Sequence, residues 1–135
     1  MAAAFVRGFG IRRGAFASSV AHDSHNFIAV GTSDAELAAA VRELIRMNGG
    51  LAAVEGGRVR ESLPLPVAGL MTDAPLEFVS EKLESLKRAA REMGCGLNDP
   101  FMQLSFLALP GIPELKLTDK GLVDAGRFDF VPLFD

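Results

Sequence analysis

Between residues 73 and 94 the chain has few conformational options. Leu76, Val79, Leu83, Leu86, Ala90 and Met93 recur every third or fourth position, with Glu77, Glu81, Glu84, Lys87, Arg88 and Arg91 elsewhere. That spacing predicts an amphipathic helix with one apolar stripe. Asp73 stands where it can cap the helix, Pro75 falls in the first turn where a missing N–H costs nothing, and Gly94 ends it. Glu84 and Arg88 are an i,i+4 pair in the favourable order. The stripe covers roughly three heptads at most, too short to favour a coiled coil over a helix lying on a sheet.

The sheet has to come from the rest of the chain. NFIAVGT (26–32) is the clearest strand, and its continuous FIAV run suits a strand covered on both faces. A helix follows: Ser33 and Glu36 have capping-box spacing, Leu37, Val41, Leu44 and Ile45 share a face, and Asn48 and Gly49 stop it. LAAVEGGRVRESLPL (51–65) reads as a hairpin turning at Gly56-Gly57. On its second arm Val59, Glu61 and Leu63 lie on one side, with Arg58, Arg60 and Ser62 on the other. AAAFVRGFG (2–10), GAFASSV (14–20) and MQLSFLAL (102–109) read as further strands, and PVAGLMTD (66–73) as an apolar loop. Pro110 and Pro113 force an extended turn, DKG (119–121) makes another, and Phe128, Phe130 and Phe134 share one side of an extended tail. The order predicts an α+β fold: a mixed or antiparallel sheet with two main helices packed on one face.

A length of 135 residues suits a single domain, 1–135. With 49% hydrophobic residues and a mean hydropathy of +0.24, a folded chain is expected. Two readings of that apolar surplus stay open: a face meant for a partner, or an Ala- and Gly-rich core. The net charge of −3, without any like-charge run, argues against a nucleic-acid partner. No apolar run approaches the roughly 18 residues of a membrane helix. Arg7, Arg12 and Arg13 in an acid-free start have transit-peptide composition, but Gly8, Gly10 and Gly14 break any amphipathic helix there. Cys95 is the single cysteine, so an internal disulfide and a CxxC metal site are excluded, and a reducing, cytoplasmic setting is expected. Between Gly94 and Gly96 it reads as a small packed residue.

The chemistry-bearing residues concentrate in AHDSHN (21–26), which holds both histidines, His22 and His25, with Asp23 between them. Zinc takes four ligands, or three and a water. His22, Asp23 and His25 could supply three, but no fourth protein ligand has recognisable spacing. Ser18, Ser19, His22 and Asp23 are the types of a nucleophilic triad, yet they stand too close in sequence for separate elements to converge, and there is no G-x-S-x-G elbow. VGTS has one glycine and is accounted for by helix capping, not phosphate binding. What remains is either a polar turn bonding its own backbone or a ligand-facing edge.

RGAFASSVAHDSHNFIAVGTSD, GGLAAVEGGRVRESLPLPVAGLMTD, DPFMQLSFLALPGIPELKLTDKGLVD and the FDFVPLF ending resemble successive blocks of the C-terminal domain of bacterial and archaeal adenine deaminases, in the amidohydrolase superfamily. The resemblance covers essentially the whole chain. Gly111 departs from it, standing where a bulkier aliphatic residue is expected. The resemblance implies a part of a hydrolase of purine metabolism that converts adenine to hypoxanthine and ammonia. Manganese or iron would work in a TIM-like barrel whose ligands begin with an H-x-H motif. This sequence contains no H-x-H, so the catalytic metal-binding barrel is expected to be absent. No metal is expected in this chain alone, no catalytic residue is assigned, and the isolated chain is expected to be inactive. The missing N-terminal barrel domain is the implied partner and adenine the substrate of the complete enzyme; a homo-oligomer stays open. In that setting His22, Asp23, His25 and Asn26 would form part of the active-site wall, touching the purine edge or the outer hydrogen bonds of the metal centre, with Ser19 supporting. The Phe-rich end and PVAGLM would be candidates for contact with the barrel. Two other readings stand beside this one: a non-catalytic interaction or assembly module, and a small independent hydrolase using HDSH and a metal.

Overall fold

The computed structural model describes residues 1–22 and 25–134. Its elements are β1 (Ala15–Ser18), β2 (Ile28–Gly31), α1 (Asp34–Arg46), β3 (Gly50–Glu55), β4 (Arg58–Pro64), α2 (Leu76–Glu92), α3 (Pro100–Phe106), β5 (Leu115–Leu117), β6 (Leu122–Asp124) and β7 (Asp129–Val131). Among the described residues the strands form two sheets, one ordered β2-β1-β3-β4 and a small one ordered β5-β6-β7, and every neighbouring pair is antiparallel. β2 and β3 therefore run in the same direction on either side of β1, and α1 crosses between them. The α+β class and the antiparallel sheet agree with the sequence reading.

The placement of the helices does not. Phe16, Leu51, Ala53 and Leu63 pack with Leu86, Ala90, Met93 and Leu104, whereas Ala15, Ala17, Ala52 and Val54 pack with Ala40, Leu44 and Met47. Adjacent residues of a strand point to opposite faces. α1 therefore covers one face of the larger sheet, and α2 with α3 covers the other. The reason lies in β1 and β3, which are buried along their whole length except at Glu55, so that a helix layer on one face alone would leave the other wet. Alanines on the α1 side let that helix approach closely. Phe16 fills the other side, with its ring 5.8 Å from that of Phe9 and 5.2 Å from that of Phe101.

Two segments read as strands are not strands. Residues 2–10 form an irregular arm: the Arg12 N–H donates to the Met93 carbonyl at 2.9 Å, and the Gly96 N–H to the Phe9 carbonyl at 3.2 Å. These two bonds tie the end of the arm to the end of α2, and none of its residues joins a strand ladder. The strand predicted over 14–20 shortens to β1. MQLSFLAL is for the most part helix α3. The Asp99 carboxylate accepts the Met102 N–H at 3.3 Å, and Pro100 occupies the first helical position. This cap-and-proline start outweighs the β-like composition that follows. Phe101, Leu104 and Ala108 then face the core at helical spacing. Asp99→Ala is expected to cost about 1 kcal/mol in urea unfolding, the usual value of a lost N-cap.

The other helix ends also differ in detail. Ser33 accepts the Glu36 N–H at 3.3 Å, which is half a capping box. The Glu36 carboxylate does not return to Ser33; it accepts the Gly56 and Gly57 N–H groups at 2.8 and 3.4 Å, tying α1 to the β3–β4 turn. Ile45 is exposed, and the buried face of α1 is Ala40, Glu43 and Leu44. Pro75 itself is the residue before α2, with no side-chain cap, so Asp73 does not cap it. Glu84 pairs with Lys87 at 3.4 Å, while Arg88 donates to the Ser85 hydroxyl at 2.9 Å. On β4 the predicted alternation holds where the strand is covered: Leu63 is buried, and Glu61 meets Lys82 of α2 at 2.7 Å. Ser62 points the other way, to Glu43 of α1. The Arg46 guanidinium, helped by Ser62, holds the buried Glu43 carboxyl below its ordinary value against the opposing effect of burial.

Candidate functional site

One end of the larger sheet gathers the segment after β1, the residues before β3 and the loop after β4. Ser19 joins them. Its hydroxyl accepts the Gly50 N–H at 2.7 Å and donates to the Gly69 carbonyl at 2.5 Å, with the Gly50 carbonyl at 3.3 Å. Its backbone N–H donates to the same Gly50 carbonyl at 3.0 Å. Ser19 is buried, so these bonds are shielded from water. Gly49, at φ +105°, lies directly against Gly69, and a Cβ there would strike the Gly69 backbone. The loop thus clamped is itself ordered: the Val67 N–H donates to the Met71 carbonyl at 3.0 Å, and the Leu70 N–H to the Val67 carbonyl at 3.0 Å. Ser19→Ala leaves the Gly50 N–H and the Gly69 carbonyl without this partner. It is expected to cost about 1–3 kcal/mol in denaturant unfolding, as orphaned buried polar groups do.

The polar loop rises from this base. Ala21 is fully buried, its carbonyl accepts the His25 N–H at 2.7 Å, and His25 adopts φ +40°. His22 is half-buried and its ring lies on Phe106 of α3, with centroids 5.2 Å apart and an interplanar angle of 21°. His25 and Asn26 are exposed. Asp23, predicted to belong to the wall, lies outside the described residues. Of the expected site residues, then, Ser19 belongs to the buried foundation, His22 to a half-buried aromatic stack, and His25 with Asn26 to the surface.

The Ser18 hydroxyl is engaged with its own turn, accepting the Val20 N–H at 2.9 Å and donating to the Val20 carbonyl at 3.2 Å. Among the described residues no three His, Cys, Asp or Glu side chains converge as metal ligands. His22 lies on Phe106 and His25 is exposed, while Asp23, the third ligand candidate, lies outside the described residues. Cys95 is buried in the core cluster, as a small packed residue would be. Phe106 is hidden from the sequence reading while MQLSFLAL reads as a strand; the Asp99-Pro100 helix start is the signal that would place it. No helix among the described residues is long and apolar enough to cross a membrane.

What these parts define is a three-layer α+β domain that presents a histidine-bearing loop on a rigid footing. A family model described as the adenine deaminase C-terminal domain matches residues 1–129, and the chain belongs to that family. It is 59% identical over 131 residues to an adenine deaminase of Desulfatibacillum aliphaticivorans, a match covering 97% of this chain and 23% of the relative. It is 55% identical over 132 residues to one of Methylobacterium sp. (strain 4-46), covering 98% and 23%, and 57% identical over 127 residues to one of Dehalococcoides mccartyi, covering 94% and 22%. The chain therefore spans less than a quarter of these relatives' length, and the matched part lies at their C-terminal end.

Proposed function

We propose that this domain serves the hydrolysis of adenine to hypoxanthine and ammonia by forming part of the wall of an adenine-binding site, without holding the reaction's metals. The observation that carries this reading is the His22–Phe106 stack on a loop anchored by the buried Ser19. An imidazole held at a fixed angle on a phenyl ring keeps its ring nitrogens at the rim of the stack. A purine edge offers complementary donors and acceptors to such a rim, and to the exposed His25 and Asn26. Fixing these groups beforehand lowers the entropic cost of binding. Manganese or iron would be held by the part of the relatives that precedes this domain, so the isolated chain is expected to be inactive.

The test uses the full-length Desulfatibacillum aliphaticivorans relative, with alanine placed at the positions aligned with His22 and His25. The expected result is at least a tenfold loss in kcat/KM for adenine in one of the two variants, with unfolding unchanged. Unaltered kcat and KM in both would remove the wall reading. That result would favour the other reading, a non-catalytic assembly module, whose supporting observation is the set of exposed aromatic rings at the termini.

A further inference from the structure

The two ends of the chain meet. Phe5, in the N-terminal arm, and Phe134 lie edge to face with ring centroids 6.2 Å apart. The contact covers little of either ring: Phe5 keeps 82% of its surface exposed and Phe134 keeps 71%, and their neighbours Val6 and Leu133 are exposed too. Phe5 and Val6 also line a cleft of about 250 Å³ between the arm and the outer edge of β2, where Ala29, Gly31 and Leu37 form the opposite wall. Apolar surface of this kind on two irregular segments, held by one aromatic contact, is unfavourable in water unless something covers it.

We propose that the Phe5–Phe134 pair and the adjoining cleft are a docking surface for the portion of an adenine deaminase that precedes this domain in the relatives. The relatives carry more than three quarters of their length outside the matched segment, on its N-terminal side. A polypeptide joined at residue 1 begins within roughly 15 Å of Phe5, the reach of so few residues. Tethering at that distance gives an effective concentration on the order of millimolar, enough to cover this patch before any free partner does. The proposal rests on the reading that the domain works beside that portion, and adds which surface meets it.

Hydrogen exchange read by mass spectrometry tests it on two proteins. One is this chain alone; the other is the Desulfatibacillum aliphaticivorans relative with this chain replacing its aligned segment. Peptides holding Phe5 and Phe134 are expected to exchange at least tenfold more slowly in the long protein, while the peptide holding Leu76, a comparably exposed leucine, exchanges alike in both. Equal rates at Phe5 and Phe134 overturn the proposal. So does concentration-dependent protection in the isolated chain, which would make a second copy the occupant. Should the replacement fail to fold, the unaltered relative is compared with this chain at the aligned peptides, with the same two outcomes. F5D/F134D in the isolated chain is expected to leave Tm within about 2 °C; a larger fall would assign the rings to this domain's own core and overturn the docking role. Protection at the termini together with unchanged turnover in the His22 and His25 variants would sink the wall reading and leave the docking surface standing.

Discussion

Phe16→Ala is expected to lower stability by about 3–5 kcal/mol, the usual cost of emptying a buried phenylalanine site. For a domain of this size that corresponds to a fall in Tm of roughly 10–20 °C. Phe16 is fully buried in the central part of the sheet, with the rings of Phe9 of the arm and Phe101 of α3 packed near its own. These neighbours belong to two parts of the chain far from β1 in sequence, so no single side chain can swing in to refill the space. The loss should appear equally in thermal and urea unfolding, and Phe16→Leu should recover part of it. A fall in Tm below about 4 °C for the alanine variant would mean that the aromatic cluster does not hold the α3 face together.

Gly49→Ala is expected to cost roughly 2–4 kcal/mol by a different route. Its φ of +105° is a conformation L residues rarely adopt, and the added methyl would meet the Gly69 backbone and approach the Ser19 hydroxyl. Either Gly49 changes conformation or residues 66–71 move away, and both break the Ser19 clamp. Hydrogen exchange at the Val67 and Met71 amides should rise before global unfolding does. The same substitution at the aligned position of a full-length relative should lower adenine turnover if the polar loop depends on that footing. Gly56→Ala is the control: Gly56 also has positive φ but has open space around its Cβ position, so the cost should be strain alone, about 1 kcal/mol. Equal losses at the two positions would mean that crowding against Gly69 contributes nothing.

The family was legible in the sequence, because AHDSHN, the LPLPVAGLM block and the LTDKGLVD block each appear intact and in order. The position of each residue in the site was not. Ser19, expected to support the wall, is a buried clamp whose partners, Gly50 and Gly69, stand 31 and 50 residues away. Nothing local to Ser19 announces such partners. His22 was read without its platform, since Phe106 reaches it only if residues 100–106 form a helix.

By itself the sequence determined the features that depend on neighbours a few residues apart: the stripe of α2, the Ser33 cap, the glycine turn of the hairpin and the α+β order of elements. Those follow from periodicity and local hydrogen bonding, which act over one or two turns of chain. Only the tertiary structure decided which face each helix covers, which chain segment Ser19 holds down, and that Phe5 and Phe134 meet. Such contacts are chosen by the burial of whole faces and by close packing between segments far apart in sequence, and no short window of residues contains both partners.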